Sequence, residues 1–475
     1  MAIDSSKHDA ADQYLQLFAD DRPMRAALLA CSAALWLDDE VALQMIHLLL
    51  PENGQGPELL WRLKRLGCVW QKWDGSWRLA EDVRVALSER LDEELPPERV
   101  IEMRDRLASH ADKRVSGFSS DGQITSYRTR EALLEAAYQK TLIPNRTDQA
   151  AQGFAGLWRG ARPAAREATA SAADHLAGEI LRRVESIPPE LLFLRGMAAR
   201  SRGDSKRAEQ CFREVWKQGR PGEIFSTAAH LFGIMVRDQE IAERALRDSL
   251  EWCGTDYDPG KVWHSLANLL SRQSRRWRES EESYLKALQL LQAPEDRGQV
   301  WHSLGKNLLS QQRPRWQEAE EAFRKSIQLL HAPDDRGQVW HSLGNLLSQQ
   351  RPRWQETEEA FRESIQLLHA PGDQAQVYAS WAGAIIKRQD FPSYSKAEEY
   401  ARYSLSLNPR VPRHRSTVYG LLARICAASG RYPEAIEALA AAIEADRELG
   451  NTRLLRDRLT ELGRLRRRLQ DAQHD

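Results

Sequence analysis

The feature that most constrains this chain is a motif that recurs three times between residues 263 and 371. The motif W-H-S-L begins at Trp263, Trp301 and Trp340, so successive copies start 38 and 39 residues apart. Self-similarity at a period of about 20 to 50 residues is typical of stacked supersecondary units. Because such units bury their apolar faces only against their neighbours, the sequence predicts a solenoid with an extended concave surface.

Each copy places small and large residues in the order expected of a helix pair. In the second copy the matching positions are Trp301, Leu304, Gly305, Trp316, Ala319, Phe323 and Pro333. This order resembles the tetratricopeptide repeat, W-x2-L-G followed by A-x3-F and a proline. More divergent copies are found around Gly196 upstream and around Tyr378 and Tyr419 downstream. The resemblance implies an all-α fold, a superhelical solenoid of helix pairs that binds a protein or peptide partner in its concave groove.

The first hundred residues carry no repeat and have a different pattern. Apolar residues at helical spacing predict three helices over residues 25–35, 40–49 and 58–66. Alternating residues on both sides of Asp74-Gly75 then predict a β-hairpin. The order resembles the small winged-helix domain of bacterial STAND-type regulators. No phosphate-binding G-x4-G-K-[ST] motif is present, so the nucleotide-driven switching of those regulators is not implied.

These patterns predict five segments. They are an N-terminal winged-helix domain at 1–108, a loop at 109–128 with its Gly- and Ser-rich part at 109–127, a helical connector at 129–185, the repeat solenoid at 186–450 and a capping helix at 451–475. A second loop is expected around residues 159–167, where Pro163 interrupts the helical spacing. The Arg-rich capping helix presents Leu454, Leu459 and Leu465 at helical spacing.

Composition argues against several classes of partner. Lys plus Arg and Asp plus Glu both number 68, so no net charge attracts the chain to nucleic acid or to a membrane surface. Five scattered cysteines fit a reducing cytoplasm and form no C-x2-C pair. The N-terminal residues lack the apolar core of a signal peptide, and no run of about 18 apolar residues occurs. A cytoplasmic protein is expected.

No motif of an enzyme appears. The chain lacks H-E-x2-H, G-x-S-x-G and a Gly-rich phosphate loop, so we expect no catalytic residue and no cofactor. His264, His302 and His341 recur in phase, but packed helices lie about 8–10 Å apart and zinc needs its nitrogens at about 2 Å. No metal site is expected. Trp277, Trp316 and Trp354, each preceded by an arginine, are interpreted as packing residues rather than as a base-stacking platform.

The candidate binding site follows from the repeat resemblance. In tetratricopeptide repeats the residue after the first-helix Trp, and the residue four positions later, face the groove. The positions that match here, extended by one further turn, are His264, Asn268, Arg272, His302, Asn307, Gln311, His341, Asn345 and Gln349, with Lys306 as the alternative to Asn307. Asn offers donors and acceptors to a peptide backbone, and His adds a donor whose charge is tunable near neutrality. The plainer interpretation is a polar helix face.

Together these inferences predict a non-enzymatic scaffold or regulator of the bacterial cytoplasm. The STAND-like resemblance implies a regulatory or antiviral-defence setting with a separate catalytic partner. The groove resembles a carboxylate clamp in which His replaces the usual Lys. The alternative is a transcriptional regulator that binds DNA through the winged helix and senses a peptide with its repeats. Few polar side chains are free to contact base edges on the presumed recognition helix, which makes nucleic acid the less favoured partner.

Overall fold

As the sequence predicts, the described part of the chain is all-α with a two-stranded antiparallel sheet. The computed structural model describes residues 12–51, 54–72, 74–118, 127–161, 163–254, 257–311, 313–350, 353–388 and 394–474. The chain divides into two compact units, Met1–Tyr257 and Asp258–Asp475, which we call the N-terminal and C-terminal units.

In its described residues the N-terminal unit contains twelve α-helices after a short helical stretch at residues 12–17. The helices and strands are α1 (Arg22–Ser32), α2 (Asp39–Leu49), α3 (Gly56–Lys64), β1 (Val69–Gln71), β2 (Trp77–Leu79), α4 (Glu81–Glu94), α5 (Pro97–Phe118), α6 (Tyr127–Thr141), α7 (Thr147–Gly160), α8 (Pro163–Ile180), α9 (Pro189–Ser201), α10 (Ser205–Trp216), α11 (Glu223–Met235) and α12 (Gln239–Trp252).

The first 94 residues contain the three predicted helices and the hairpin. Strands β1 and β2 pair in antiparallel register, with Val69 opposite Leu79, and the Trp77 side chain is fully buried. Leu37 forms an isolated antiparallel bridge to Trp77, a third strand position that the sequence analysis did not predict. A single bridging residue between two helices leaves no alternating pattern for the sequence to reveal. Trp73, which directly precedes the Asp74-Gly75 turn of the predicted hairpin, lies outside the described residues.

The two loops predicted in this unit are largely helical. Helix α5 runs to Phe118 and α6 begins at Tyr127, so residues 109–118, 127 and 128 are helical, while 119–126 lie outside the described residues. Helices α7 and α8 likewise cover most of 159–167. Tertiary packing overrode the local composition here, since Ala111 is buried and the Lys140 ammonium pairs with Asp112.

The C-terminal unit is built from tandem helix pairs. Its helices are α13 (Pro259–Ser271), α14 (Trp277–Leu290), α15 (Pro294–Ser310), α16 (Trp316–Leu329), α17 (Pro333–Leu347), α18 (Trp354–Leu367), α19 (Pro371–Arg388), α20 (Tyr394–Leu407), α21 (Pro412–Ala428), α22 (Tyr432–Leu449) and α23 (Thr452–His474), with a 3-10 turn at Ser274–Arg276. The W-H-S-L motifs lie on the first helices of three pairs, α13, α15 and α17.

Glycines allow the two helices of a pair to approach closely. A Cβ added to Gly305 would lie 2.5 Å from Cε1 of Phe323, and one added to Gly344 would lie 2.9 Å from the Phe361 ring. Both rings are fully buried. In the helix pair that contains Gly305 and Phe323, the Ser326 hydroxyl also donates to the Gly298 carbonyl at 2.7 Å. The small residue in each motif is therefore a packing requirement.

Successive pairs are also joined by arginines that precede the second helices. Arg315 donates to Glu281 on α14 at 2.8 Å, and Arg353 donates to Glu320 on α16 at 2.6 Å. Hydrogen bonds from Arg353 lower the pKa of the Glu320 carboxyl. These guanidiniums are engaged within the protein, which supports a packing role rather than base stacking for the Arg–Trp positions.

Helix α23 packs against α22 through apolar side chains. Leu465 is buried beside Leu439 and Ile443, whereas Leu454 and Leu459 remain exposed. The Arg458 guanidinium pairs with Asp446, which is fully buried, at 2.9 Å. The last helix thus covers the end of the array with a partly apolar and partly charged contact.

We expect Gly305→Ala to destabilise the C-terminal unit by about 1–2 kcal/mol, because overpacking against Phe323 outweighs the helix-propensity gain of about 1 kcal/mol. Gly463→Ala is the matched control, since nothing lies within 4 Å of its added Cβ and the substitution should stabilise. Urea unfolding followed by circular dichroism measures both. Equal stabilisation of the two variants would contradict close packing at Gly305.

Candidate partner-binding groove

The predicted histidines connect one helix pair to the next. His264 Nε2 lies 3.0 Å from Ser303 Oγ, His302 Nε2 lies 2.9 Å from Ser342 Oγ, and His341 Nε2 lies 2.8 Å from Ser380 Oγ. Each serine belongs to the first helix of the following pair. We call this series the His–Ser ladder. It gives the W-H-S motif a structural reason to recur that is independent of any partner.

Each imidazole also packs on the second helix of its own pair. The ring centroids of His264 and Tyr284 lie 6.1 Å apart, those of His302 and Phe323 lie 5.8 Å apart, and those of His341 and Phe361 lie 6.2 Å apart. A histidine therefore contacts both its own second helix and the next first helix. Replacing it would disturb two helix contacts at once.

Burial keeps these histidines neutral. It lowers the pKa of His264 to about 4, of His302 to about 3 and of His341 to about 4, and the nearby Lys306 charge lowers the last two further. The expectation of a charge tunable near neutrality is thus wrong for these rings. At pH 7 each ring has one donor and one acceptor nitrogen.

The amide positions differ from one repeat to the next. Asn268 Oδ1 accepts a hydrogen bond from the Tyr284 hydroxyl at 2.7 Å. Asn307 is only 4% exposed and donates to Ser280 Oγ at 2.6 Å, so it faces the preceding pair rather than the groove. The exposed residue at this point of the second repeat is Lys306, which corrects the choice of Asn307. Asn345 is half-buried and lines a cavity described below.

The outer positions of the predicted site also differ in exposure and in hydrogen bonding. Arg272 and Gln349 are exposed, and Gln349 Nε2 donates to the Asn345 carbonyl at 3.3 Å. Gln311 has a buried Nε2 with no hydrogen-bond partner among the described residues. The nine predicted residues do not form one continuous site.

A groove of about 800 Å³ lies on the first helices α17, α19 and α21. Three of the predicted residues line it, namely His341, Asn345 and Gln349. The rest of its lining comes from later repeats: Ser348, Gln376, Ala379, Ser380, Gly383, Ala384, Lys387, Asn408, Val411, Arg413, His414, Thr417, Leu421 and Arg424. We call this cavity the C-terminal groove.

The C-terminal groove is cationic. Lys387, Arg413 and Arg424 line it. Among the residues that the structure describes, no acidic side chain lines it and none forms an ion pair with these three. Burial lowers the pKa of His414, and its Nε2 lies 3.0 Å from Ser404 Oγ. Three uncompensated positive charges beside amide and hydroxyl groups favour an extended anionic ligand.

The sequence analysis did not include these cations, although two of them occupy repeat positions equivalent to predicted site residues. Arg424 follows Tyr419 by the same five positions that separate Asn345 from Trp340. Lys387 follows Tyr378 by the nine positions that separate Gln349 from Trp340. Extending the phase into the divergent repeats would have found both. Arg413 is in the first turn of α21, where no repeat position predicts it.

One cluster has the donor atoms of a metal site. Ligand atoms of Glu398, Cys426 and Glu434 all lie within 4.8 Å of one another. Arg431, however, donates to both carboxylates and already supplies the positive charge there. Burial also raises the pKa of the Cys426 thiol, which disfavours the thiolate that metals bind. This set is best explained as a structural ion-pair cluster.

None of the described helices is both long enough and apolar enough to span a bilayer.

We expect the C-terminal unit to lose stability as the pH falls from about 6.5 towards 4. The unfolded imidazoles titrate near pH ~6.5, whereas the folded rings of the His–Ser ladder titrate at about 4, 3 and 4, so the unfolded chain binds more protons in this window. The stabilisation is fully present above pH 7, and about 1 kcal/mol or more per ring is lost by pH 5.

Urea midpoints at pH 7.5 and 5.0 measure the effect. The control is H264Q/H302Q/H341Q, which keeps a donor and an acceptor but does not titrate, and should show a smaller decline. The same decline in both proteins would assign the acid sensitivity to carboxyl groups such as Glu320 instead.

Comparison with known proteins identifies repeats within the C-terminal unit. The sequence model of the tetratricopeptide repeat family matches residues 262–298 and 418–453. No curated protein matches the chain. Solved structures with a similar arrangement include a tetratricopeptide repeat protein from Parabacteroides merdae, with 14% identity and a TM-score of 0.43 over 58% of this chain and 98% of that one.

Two further structures are similar at the same distant level. BtubC (BKLC) from P. vanneervenii has 16% identity and a TM-score of 0.36 over 52% of this chain and 91% of that one. The Cut9–Hcn1 hetero-tetramer of APC/C has 13% identity and a TM-score of 0.42 over 95% of this chain and 89% of that chain. The family match carries the assignment: residues 262–298 and 418–453 are tetratricopeptide repeats, and the copies from Trp301 and Trp340 repeat the motif of the first.

Proposed function

We propose that this protein is a non-enzymatic interaction scaffold that binds an extended acidic segment of a partner protein in its C-terminal groove. The observation that carries the proposal is the set of three cations, Lys387, Arg413 and Arg424, which have no ion-pair partner and no acidic neighbour in the groove among the described residues. Tetratricopeptide repeats support a protein–protein interaction role in general. The charge of the groove adds the chemistry of the partner.

The neutral groups of the groove complement these cations. Asn345, Gln376 and Asn408 offer amide donors and acceptors, which suit the peptide backbone of an extended segment. Lysine and arginine can then pair with carboxylates spaced along that segment, with arginine able to bind a carboxylate through two parallel hydrogen bonds. Electrostatic complementarity of this kind contributes to specificity and association rate.

We also propose that residues 22–94 form a winged-helix module that docks on protein rather than DNA. The order of three helices, hairpin and helix, together with the Leu37–Trp77 bridge, supports the assignment. Arg62 pairs with Asp21 at 2.5 Å and Lys64 pairs with Asp39, so both cations of α3 are compensated. Trp61 is 59% exposed on the same helix, which favours an apolar protein contact.

The cellular setting is proposed from the resemblance of this module alone. A STAND-like winged helix followed by repeats favours a bacterial cytoplasmic regulator, in defence or stress signalling, that works with a separately encoded catalytic partner. The transcriptional alternative would need the α3 cations to release their carboxylates before they contact phosphates, at a cost in free energy.

The groove is tested with a fluorescein-labelled octapeptide of alternating Glu and Ala, measured by fluorescence anisotropy at low salt. We expect K387Q/R413Q/R424Q to weaken binding tenfold or more, since three screened ion contacts contribute about 0.5–1 kcal/mol each. The same peptide with Gln in place of Glu should bind far more weakly to the wild type.

The matched control is R278Q/R313Q/R362Q, which removes three exposed cations of the same unit outside the C-terminal groove. It changes the net charge by the same amount and should leave the affinity unchanged. Equal weakening by the two triple variants would reduce the effect to overall charge and overturn the groove assignment.

A further inference from the structure

The N-terminal unit contains a separate cavity of about 700 Å³. It lies where Leu35 and Trp36, the β-hairpin, α6 and α8 meet. We call it the hairpin pocket. Its volume is in the range of about 300–1,000 Å³ that small-molecule sites occupy. No residue of the predicted partner site lines it.

The floor of the hairpin pocket is apolar. Leu35, Leu134, Leu176, Ala168 and Ala172 contribute to it. Glu135, buried beneath, accepts hydrogen bonds from the backbone amides of Leu35 at 2.8 Å and Trp36 at 3.2 Å. These bonds fix the segment between α1 and α2 onto α6, so one wall of the pocket is held in place.

The rim of the hairpin pocket is cationic and aromatic. The Lys72 ammonium lies 3.4 Å from the centroid of the Trp36 ring, and the Arg78 guanidinium lies 4.6 Å from the same centroid. The Arg130 guanidinium lies 5.6 Å from the Tyr127 ring centroid. Cation–π contacts of this kind hold the basic groups in position without neutralising them.

Carboxylates in the pocket compensate only part of this charge. Glu131 pairs with Lys72 at 2.5 Å, and Glu81 pairs with the buried Arg84 at 2.8 Å and with His175 at 3.2 Å. Arg78 and Arg130 form no ion pair with any residue in the described part of the chain. The guanidinium groups of Arg78 and Arg130 therefore lie over the apolar floor of the pocket without a carboxylate partner among the described residues.

We propose that the hairpin pocket binds a small amphiphilic oxyanion, a carboxylate, sulfonate or phosphate attached to an apolar body. Its anionic group pairs with Arg78 and Arg130, and its apolar body covers Leu134 and Leu176. Guanidiniums suit such anions because their planar N–H groups match two oxygens at once. A bound anion would tie β2, which carries Arg78, to α6, which carries Arg130. The site is independent of the partner segment proposed for the C-terminal groove.

The test uses two fluorescent probes of nearly the same shape, 8-anilinonaphthalene-1-sulfonate and the uncharged N-phenyl-1-naphthylamine. Both are titrated into the full chain carrying K387Q/R413Q/R424Q, so that the C-terminal groove cannot capture the anion. We expect the sulfonate probe to bind with one-to-one stoichiometry and more tightly than the neutral probe. Adding R78Q/R130Q should weaken the sulfonate probe at least tenfold and change the affinity of the neutral probe less than twofold.

Two further variants keep the proposal falsifiable. Ala172→Trp fills the floor from an exposed position of α8 and should abolish binding of both probes, even if the arginine variant were to unfold. R99Q/R106Q removes two exposed cations of α5 and should change neither affinity. Unchanged sulfonate affinity in the folded R78Q/R130Q protein, or unchanged binding of both probes in the Ala172→Trp protein, would overturn the proposal.

Discussion

A helix pair of about 38 residues cannot bury both of its apolar faces, so each repeat of the C-terminal unit depends on contact with the next. Within a pair the contact is set by glycine against a phenylalanine ring, as at Gly305 and Phe323. Between pairs it is supplemented by two polar series. The His–Ser ladder joins successive first helices, and Arg–Glu pairs such as Arg353–Glu320 join successive second helices.

These two series have different consequences for binding. The Arg–Glu pairs neutralise the arginines that precede the second helices, and the His–Ser ladder occupies Nε2 of His264, His302 and His341. On the first helices α19 and α21, Lys387, Arg413 and Arg424 have no carboxylate partner among the described residues, and all three line the C-terminal groove. The divergent repeats therefore place three unpaired cations in one groove, whereas the exposed Lys306 of the second W-H-S-L repeat lies outside it.

The sequence predicted the helix pairs well because their determinants are local. Trp, Leu, Gly and Phe recur at fixed spacing, and the Asp74-Gly75 hairpin likewise follows from adjacent residues. The groove was harder to predict from the sequence. The serine that is hydrogen-bonded to each histidine is 39 or 40 residues away, and no local sequence pattern connects the two residues. The one-residue insertion at Lys306 and Asn307 decided which side chain is exposed, which only packing resolves. The end of α5 was predicted as a loop, because the residues near 117 are rich in Gly and Ser.

The most direct measurement is zero-length carbodiimide coupling of the Glu–Ala peptide to the full chain, followed by mass spectrometry. The reagent joins a lysine amine only to a carboxylate in contact with it, and Lys387 is the one lysine among the described residues that line the C-terminal groove. The account predicts a peptide adduct at Lys387 that disappears when salt screens the groove. Adducts confined to lysines elsewhere, with Lys387 unmodified, would contradict it.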